Sequence, residues 1–324
     1  MNINIIVKET PFINPKAFDL ISIYFKNNYN LHYFNDLNAI EFINKNNNSE
    51  TTVVFYFDNI INDSDLNILN FIKNNNIFCK VFIIIIDFWK IPDPGREKQH
   101  KFISDLFQAE NYKVICSARD VQQLCDLNNE NFLPYVNNII FLNIWSCYNS
   151  SFCNFNNSPI ESILISGHTN SCYPERYKMT LAKNTILYHY NGGDIYSNNN
   201  NYNLVLNKYL CCFYSSVFLF NHAKQQSTSI NIILLKTFEI LASGSLLLAP
   251  KTEESSLSTI GLIDKENYFT IDFDKDLDEQ IDFIFDKNNR ELIDKIRYNG
   301  YIHAKENLTT EKKFLQFKNI IENN

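Results

Sequence analysis

Apolar runs of strand length alternate with helical patterns twice along this chain, and that alternation limits the fold more than any other feature. In the first half the runs fall at 4–7, 52–58, 80–87, 113–116 and 138–142, with helical patterns at 15–26, 64–73, 97–109 and 119–126. The second half has strand-like runs at 160–166, 185–190, 211–214, 245–249 and 267–271. Between and after them lie helical stretches at 174–183, 202–209, 276–285, 290–305 and 309–321. A strand that is apolar along its whole length must be covered on both faces, which is the signature of a parallel sheet between layers of helices. The expected fold class is α/β, with two Rossmann-like doubly wound domains. The glycine fingerprint of dinucleotide binding is missing, so an ordinary NAD-binding domain is not expected.

The two alternations are separated by residues 146–159, which are polar, asparagine-rich and closed by Pro159, and which read as a linker. The domains are expected at 1–150 and 151–305, with 306–324 as a closing helix. At 324 residues, 45% hydrophobic and 15% aromatic, the chain suffices for two ordinary cores. A net charge of −7 gives no basic footprint for nucleic acid. The eight cysteines are scattered, with no CxxC and no Cys/His cluster, and read as buried free thiols of a reducing compartment. The N-terminus lacks a signal-peptide core and reads as a first strand, and the longest aliphatic run, 81–86, is too short to span a bilayer. The expected setting is cytoplasmic. Heavy Asn, Ile and Lys usage suggests an AT-rich genome, of a bacterium or of a large DNA virus acting in its host's cytoplasm.

The most informative segment is Lys236-Thr-Phe-Glu239-Ile-Leu-Ala-Ser-Gly244-Ser-Leu-Leu-Leu-Ala-Pro250. It reads as an amphipathic helix, a glycine in the left-handed position past its end, and a buried strand. Lys236 and Glu239, three apart, share a helix face. Such a pair beside a parallel sheet can grip a sugar nucleotide, the carboxylate taking ribose hydroxyls and the amine facing the diphosphate. On the residues alone, a solvated ion pair explains the spacing as well.

Three more segments stand in order around it. They are Leu164-Ile-Ser-Gly167-His-Thr-Asn-Ser-Cys-Tyr173-Pro-Glu-Arg176, Gly261-Leu-Ile-Asp-Lys-Glu-Asn-Tyr268-Phe, and Ile296-Arg-Tyr-Asn-Gly300-Tyr-Ile-His-Ala-Lys-Glu-Asn-Leu-Thr309. Over residues 160–318, about half the chain, their order and spacing resemble the C-terminal domain of GT-B glycosyltransferases, in particular the CgeB-like group of the "glycosyl transferases group 1" proteins. The resemblance implies two Rossmann-like domains with a cleft between them. The first domain would bind the acceptor, the second a nucleotide-diphosphate sugar, and the last helix would cross back to the first domain. It departs at one place. Many retaining members carry a second glutamate eight residues before the ribose-binding one, where this chain has Asn231. Retaining chemistry is therefore not carried over.

The resemblance implies that Glu239 holds the donor ribose and Lys236 a phosphate or the sugar. Arg176 follows a strand, a glycine and a helix-opening proline, where a guanidinium fork suits a diphosphate; a surface ion pair with Glu175 is the alternative. Gly167 ends its strand, either as a plain turn or where backbone must approach a ligand. Tyr173 walls the pocket or packs on the helix. His189 precedes a glycine loop at the expected mouth, or is structural. Tyr214 follows a strand, where a nucleobase could stack, and 222–229 reads as a polar loop able to fold over the donor. In the first domain Asp87 ends the most apolar strand and could deprotonate an acceptor hydroxyl or cap the next segment, with His100 as the second candidate base.

The expected function is metal-independent transfer of a sugar from a nucleotide-diphosphate sugar to a glycan or other hydroxyl acceptor, with no cofactor. No Asp-x-Asp metal motif stands in a suitable place. A sugar-nucleotide epimerase or hydrolase on the same fold, and a non-catalytic binding module, are the alternatives.

Overall fold

The computed structural model describes residues 2–8, 24–34, 36–57, 63–85, 112–116, 139–143, 145–148, 151–167, 169, 173–188, 199–216, 218–221, 226–229 and 233–323. The chain divides into two compact units, Met1–Ile144 with Phe314–Asn324, and Trp145–Lys313.

Unit 1 is built on a six-stranded parallel sheet. Its strands are β1 (Asn2–Lys8), β2 (Asn30–Phe34), β3 (Thr51–Phe57), β4 (Lys80–Ile85), β5 (Lys113–Cys116) and β6 (Ile139–Phe141). They are ordered β2-β1-β3-β4-β5-β6. Consecutive residues Val53, Val54 and Phe55, and Val81 to Ile84, are all buried. Both faces of the central strands are thus covered, which is why their sequences are continuously apolar. Helices α1 (Asp36–Lys45) and α2 (Asp63–Asn74) join the strands. Strand β2 and helix α1 are additions to the sequence reading. Strand β2 sits at the sheet edge with Tyr33 42% exposed, so it carries no continuous apolar run. The helical patterns expected at 97–109 and 119–126, and most of 15–26, lie outside the described residues.

Unit 2 holds β7 (Ile160–Ser166), α3 (Pro174–Thr180), β8 (Thr185–Tyr188), α4 (Asn199–Asn207), β9 (Tyr209–Phe213), β10 (Phe218–Asn221), β11 (Gln226–Ser229), α5 (Leu235–Ser243), β12 (Leu246–Pro250), α6 (Glu254–Ser258), β13 (Phe269–Ile271), α7 (Leu277–Phe285) and α8 (Arg290–Asn307). Five strands form a parallel sheet ordered β13-β12-β9-β7-β8. One face carries Ile163 and Ile165, Cys211 and Phe213, and Leu246 and Leu248, packed with Met179, Ile281, Ile284, Ile293 and Ile296. The intervening residues Leu164, Cys212 and Leu247 point to the other face by strand alternation and are buried too. Helix α5, with Phe238 and Leu241 fully buried, packs on β12 and on α4.

The stretch 146–159, read above as a linker, lies on unit 2. Cys147 donates its N–H to Leu308 O at 2.7 Å, Cys153 its N–H to Ala242 O at 3.2 Å, and the Tyr301 hydroxyl bonds Cys153 O at 2.8 Å. It is tied to the end of α4: the Asn156 side chain donates to Asn207 O and the Asn207 side chain donates to Asn154 O, each at 3.0 Å. The expected loop 222–229 is in part a strand, since Gln226–Ser229 pairs antiparallel with Phe218–Asn221. The last helix, α9 (Thr310–Asn323), begins in unit 2 and continues in unit 1, where Phe317 meets Phe25 at 4.7 Å between ring centres. Among the described residues, no helix is long and apolar enough to cross a membrane.

Candidate functional site

In unit 2 the chain runs from β7 outward to β8, then returns to place β9, β12 and β13 on the other side. The strand order reverses between β7 and β9, and the crevice beyond the carboxyl ends of such a pair is where open α/β sheets bind ligands. The segments that emerge there are 166–167 after β7, 214–216 after β9 and 251–253 after β12.

Gly167 has φ +98°, a conformation that suits glycine. A Cβ built on it would lie 2.9 Å from Nζ of Lys236 and 3.0 Å from Nη1 of Arg176. Two cationic side chains from different helices therefore converge on one glycine at the end of β7. Each is anchored. Lys236, half-buried on the first turn of α5, donates to Ser166 O at 2.6 Å. Arg176, 3% exposed, donates from Nη2 to Ser215 O at 2.9 Å, across the switch point, and its guanidinium stacks 4.2 Å from the centre of the Tyr173 ring. Burial lowers the proton affinity of Arg176, opposed by Tyr173, Tyr214 and Tyr202, and a guanidinium keeps its charge regardless.

Local sequence explains these placements. Pro174 takes the first position of α3, where its missing N–H is not needed and its fixed φ starts the helix. That puts Arg176 in the first turn, beside the sheet. Gly244 ends α5 with φ +77° and turns the chain directly into β12, as the sequence indicated. Glu239 follows Lys236 by one turn and is 5% exposed.

The remaining sequence candidates fall as follows. Tyr214 is fully buried, with Leu234 N–H donating to its hydroxyl at 3.4 Å, and burial, with Glu253 next, holds its phenol well above the usual range. Its ring offers no accessible face to a base, so it forms part of the floor. Asp87, His100, His189 and Asn231 lie outside the described residues. Asp272-Phe-Asp274, an Asp-x-Asp pattern past the donor motifs, has its first carboxylate bonded to Lys251 at 2.9 Å.

Sequence reasoning missed Glu253 and read Glu175 only as a surface partner for Arg176, whereas Glu175 is buried and bonded to Thr252. Glu175, 7% exposed, accepts from Thr252 Oγ1 at 3.0 Å, and burial raises its carboxyl against the pull of Thr252 and Lys178. Glu253, 1% exposed, accepts the Ser216 N–H at 3.0 Å and the Ser216 hydroxyl on the same oxygen. Burial pushes it up to about 7, with the Ser216 bonds opposing and Glu175 adding. A carboxylate just past a parallel strand was the criterion that singled out Asp87, and it applies equally to Glu253.

No protein-family model matches the chain, and no curated protein matches it. Solved structures do. HepE of Anabaena, in complex with UDP-glucose, is 8% identical over 100% of both chains with a TM-score of 0.58. A glycosyltransferase from Rickettsia africae ESF-5 is 11% identical, over 99% of this chain and 98% of that one, with a TM-score of 0.55. TarM is 13% identical at a TM-score of 0.48, and the chain spans only 57% of its length. The two full-length likenesses establish the fold: two parallel sheets with helices, as in GT-B glycosyltransferases.

Proposed function

We propose that the protein is a glycosyltransferase that uses a nucleotide-diphosphate sugar as donor. The observation that carries this reading is the convergence of Lys236 and Arg176 on Gly167 at the switch point of the unit 2 sheet. Two fixed cations beside close-approaching backbone make a seat for a diphosphate. Charge that develops on the departing nucleotide diphosphate is met by the same two groups, and cations already held in place lower the barrier without reorganising. Lys236 and Arg176 would do this without a divalent ion. Glu239 would accept the ribose hydroxyls. The full-length likeness to HepE, solved with UDP-glucose, supports a sugar nucleotide as ligand. Within that fold the motifs at 164–176, 236–250, 261–269 and 296–309 favour the CgeB-like group. Unit 1 would present the acceptor, a glycan or other hydroxyl compound.

The test is a thermal-shift panel of UDP, GDP, TDP and CMP sugars on the full chain, since a ligand that binds only the native state raises the melting temperature. Turnover of the best ligand is then followed with and without acceptors, in the presence and absence of EDTA. Nucleotide release that needs an acceptor and survives EDTA supports the reading. Acceptor-free conversion would point to an epimerase or hydrolase instead, and binding without turnover to a non-catalytic module.

A further inference from the structure

Glu253 is an expensive residue to keep where it stands. It is 1% exposed, and among the described residues it faces no cation and takes its hydrogen bonds from Ser216 alone, onto one oxygen. Its second oxygen, Oε2, is buried with no hydrogen-bond partner among the described residues. An apolar side chain of the same size would fill the space at less cost in desolvation.

The bonds it makes show what it holds. Ser216 is the neighbour of Ser215, whose carbonyl receives Nη2 of Arg176. On the same turn Thr252, the residue before Glu253, grips Glu175, the residue before Arg176. The turn 251–253 thus fixes both the backbone that receives Arg176 and the residue that precedes it on α3. Among the described residues, the groups facing Glu253 from the elements around it are Ser216 and Tyr214 after β9 and Glu175 on α3.

We propose that Glu253 is a positioning residue for the diphosphate seat: by pinning Ser216 it fixes the Ser215 carbonyl and so aims the Arg176 guanidinium at Gly167. The proposal rests on the donor reading given above. It identifies a requirement of that site which no diphosphate contact would reveal, because Glu253 acts only through Ser216 and Arg176.

The test uses the full chain, with UDP-glucose as the probe in calorimetry, and the variants Glu253→Gln, Glu253→Met, Arg176→Ala and the Glu253→Met, Arg176→Ala double. Gln retains an acceptor oxygen for Ser216, whereas Met fills the volume without one. The expected result is a Kd within about twofold of wild type for Gln and about tenfold weaker for Met, with the double variant no weaker than Arg176→Ala alone. An unchanged Kd for Met, or effects that add in the double variant, would overturn the proposal. If wild type binds neither UDP-glucose nor any other sugar nucleotide of the panel, the donor reading fails on its own. The same cycle read from urea midpoints then decides the role of Glu253: non-additive effects uphold the link to Arg176, and additive ones remove it. If Met prevents folding, Ser216→Ala, which removes only the hydroxyl bond, takes its place in the cycle with the same criteria.

Discussion

The ammonium of Lys236 donates to the carbonyl of Ser166 at 2.6 Å, which ties the first turn of α5 to the carboxyl end of β7. An ammonium carries three donors, so a bond to Ser166 is compatible with a contact to a phosphate. Lys236→Met keeps the aliphatic stem and deletes the charge. It should weaken binding of the sugar nucleotide by about 1.5–3 kcal/mol, the range for a charged hydrogen bond. Calorimetry on the full chain checks this, and an unchanged affinity would make Lys236 a strut between helix and strand only.

Arg176 has a double role, because it spans the switch point to Ser215 and is stacked on Tyr173. Arg176→Ala should lower donor affinity by about 1.5–3 kcal/mol and also lower stability, since the Ser215 carbonyl and the Tyr173 ring lose a buried partner. Arg176→Lys should restore only part of the affinity, a point charge lacking the guanidinium fork. A lysine variant as tight as wild type would show that charge alone matters at this position.

Gly167→Ala tests the close approach. At φ +98° any side chain is strained, and the new methyl would press on Lys236 Nζ and Arg176 Nη1. Strain of this kind costs about 1–3 kcal/mol. The stability loss, read from urea midpoints, should be of that order. Donor affinity should fall further, because both cations must shift. Stability near wild type with unaltered affinity would mean that backbone and side chains relax freely there.

Much of unit 2 was legible because its signals are local. Gly244 announces the end of α5, Pro174 the start of α3, and the apolar run 246–249 a doubly covered strand. The convergence of Lys236 with Arg176 was legible only through strand–helix order, which places both at one end of the sheet. Other features are set by tertiary context. Edge strand β2 shows no continuous apolar pattern because one side is wet, and the stretch 146–159 reads as a linker although the Asn156 side chain bonds the Asn207 backbone and holds the stretch to unit 2. Glu253 escaped because a single carboxylate after a strand resembles any surface glutamate until its burial is seen. Tyr214 misled in the opposite direction. Its position after β9 suggested an exposed ring, whereas the segments after β9 and β12 pack together and cover it.

Glu239→Gln keeps size and one acceptor oxygen but removes the charge. If ribose hydroxyls donate to this carboxylate, donor affinity should fall by about 1–2 kcal/mol. Free nucleoside diphosphate should show the same loss as the sugar nucleotide, because the ribose is common to both. A loss confined to the sugar nucleotide would place Glu239 against the transferred sugar instead.

The last prediction concerns stability against pH. Folding raises the carboxyl of Glu253 to about 7, mainly by burial, whereas in the unfolded chain it titrates near the ordinary glutamate value of about 4.3. The native state therefore holds this proton more tightly than the unfolded state. Its contribution is fully present below about pH 4.3, is lost as pH rises to about 7, and is constant above that. The loss amounts to about 4 kcal/mol at most. Glu175 is raised as well and acts with the same sign. Glu253→Gln cannot ionise, so the variant should gain on wild type steadily from about pH 4.3 to about pH 7 and hold level above that. Urea midpoints measured across that range for both proteins check it. A stability difference that stays constant with pH would mean that Glu253 ionises at an ordinary value and that its pocket is wetter than its burial implies.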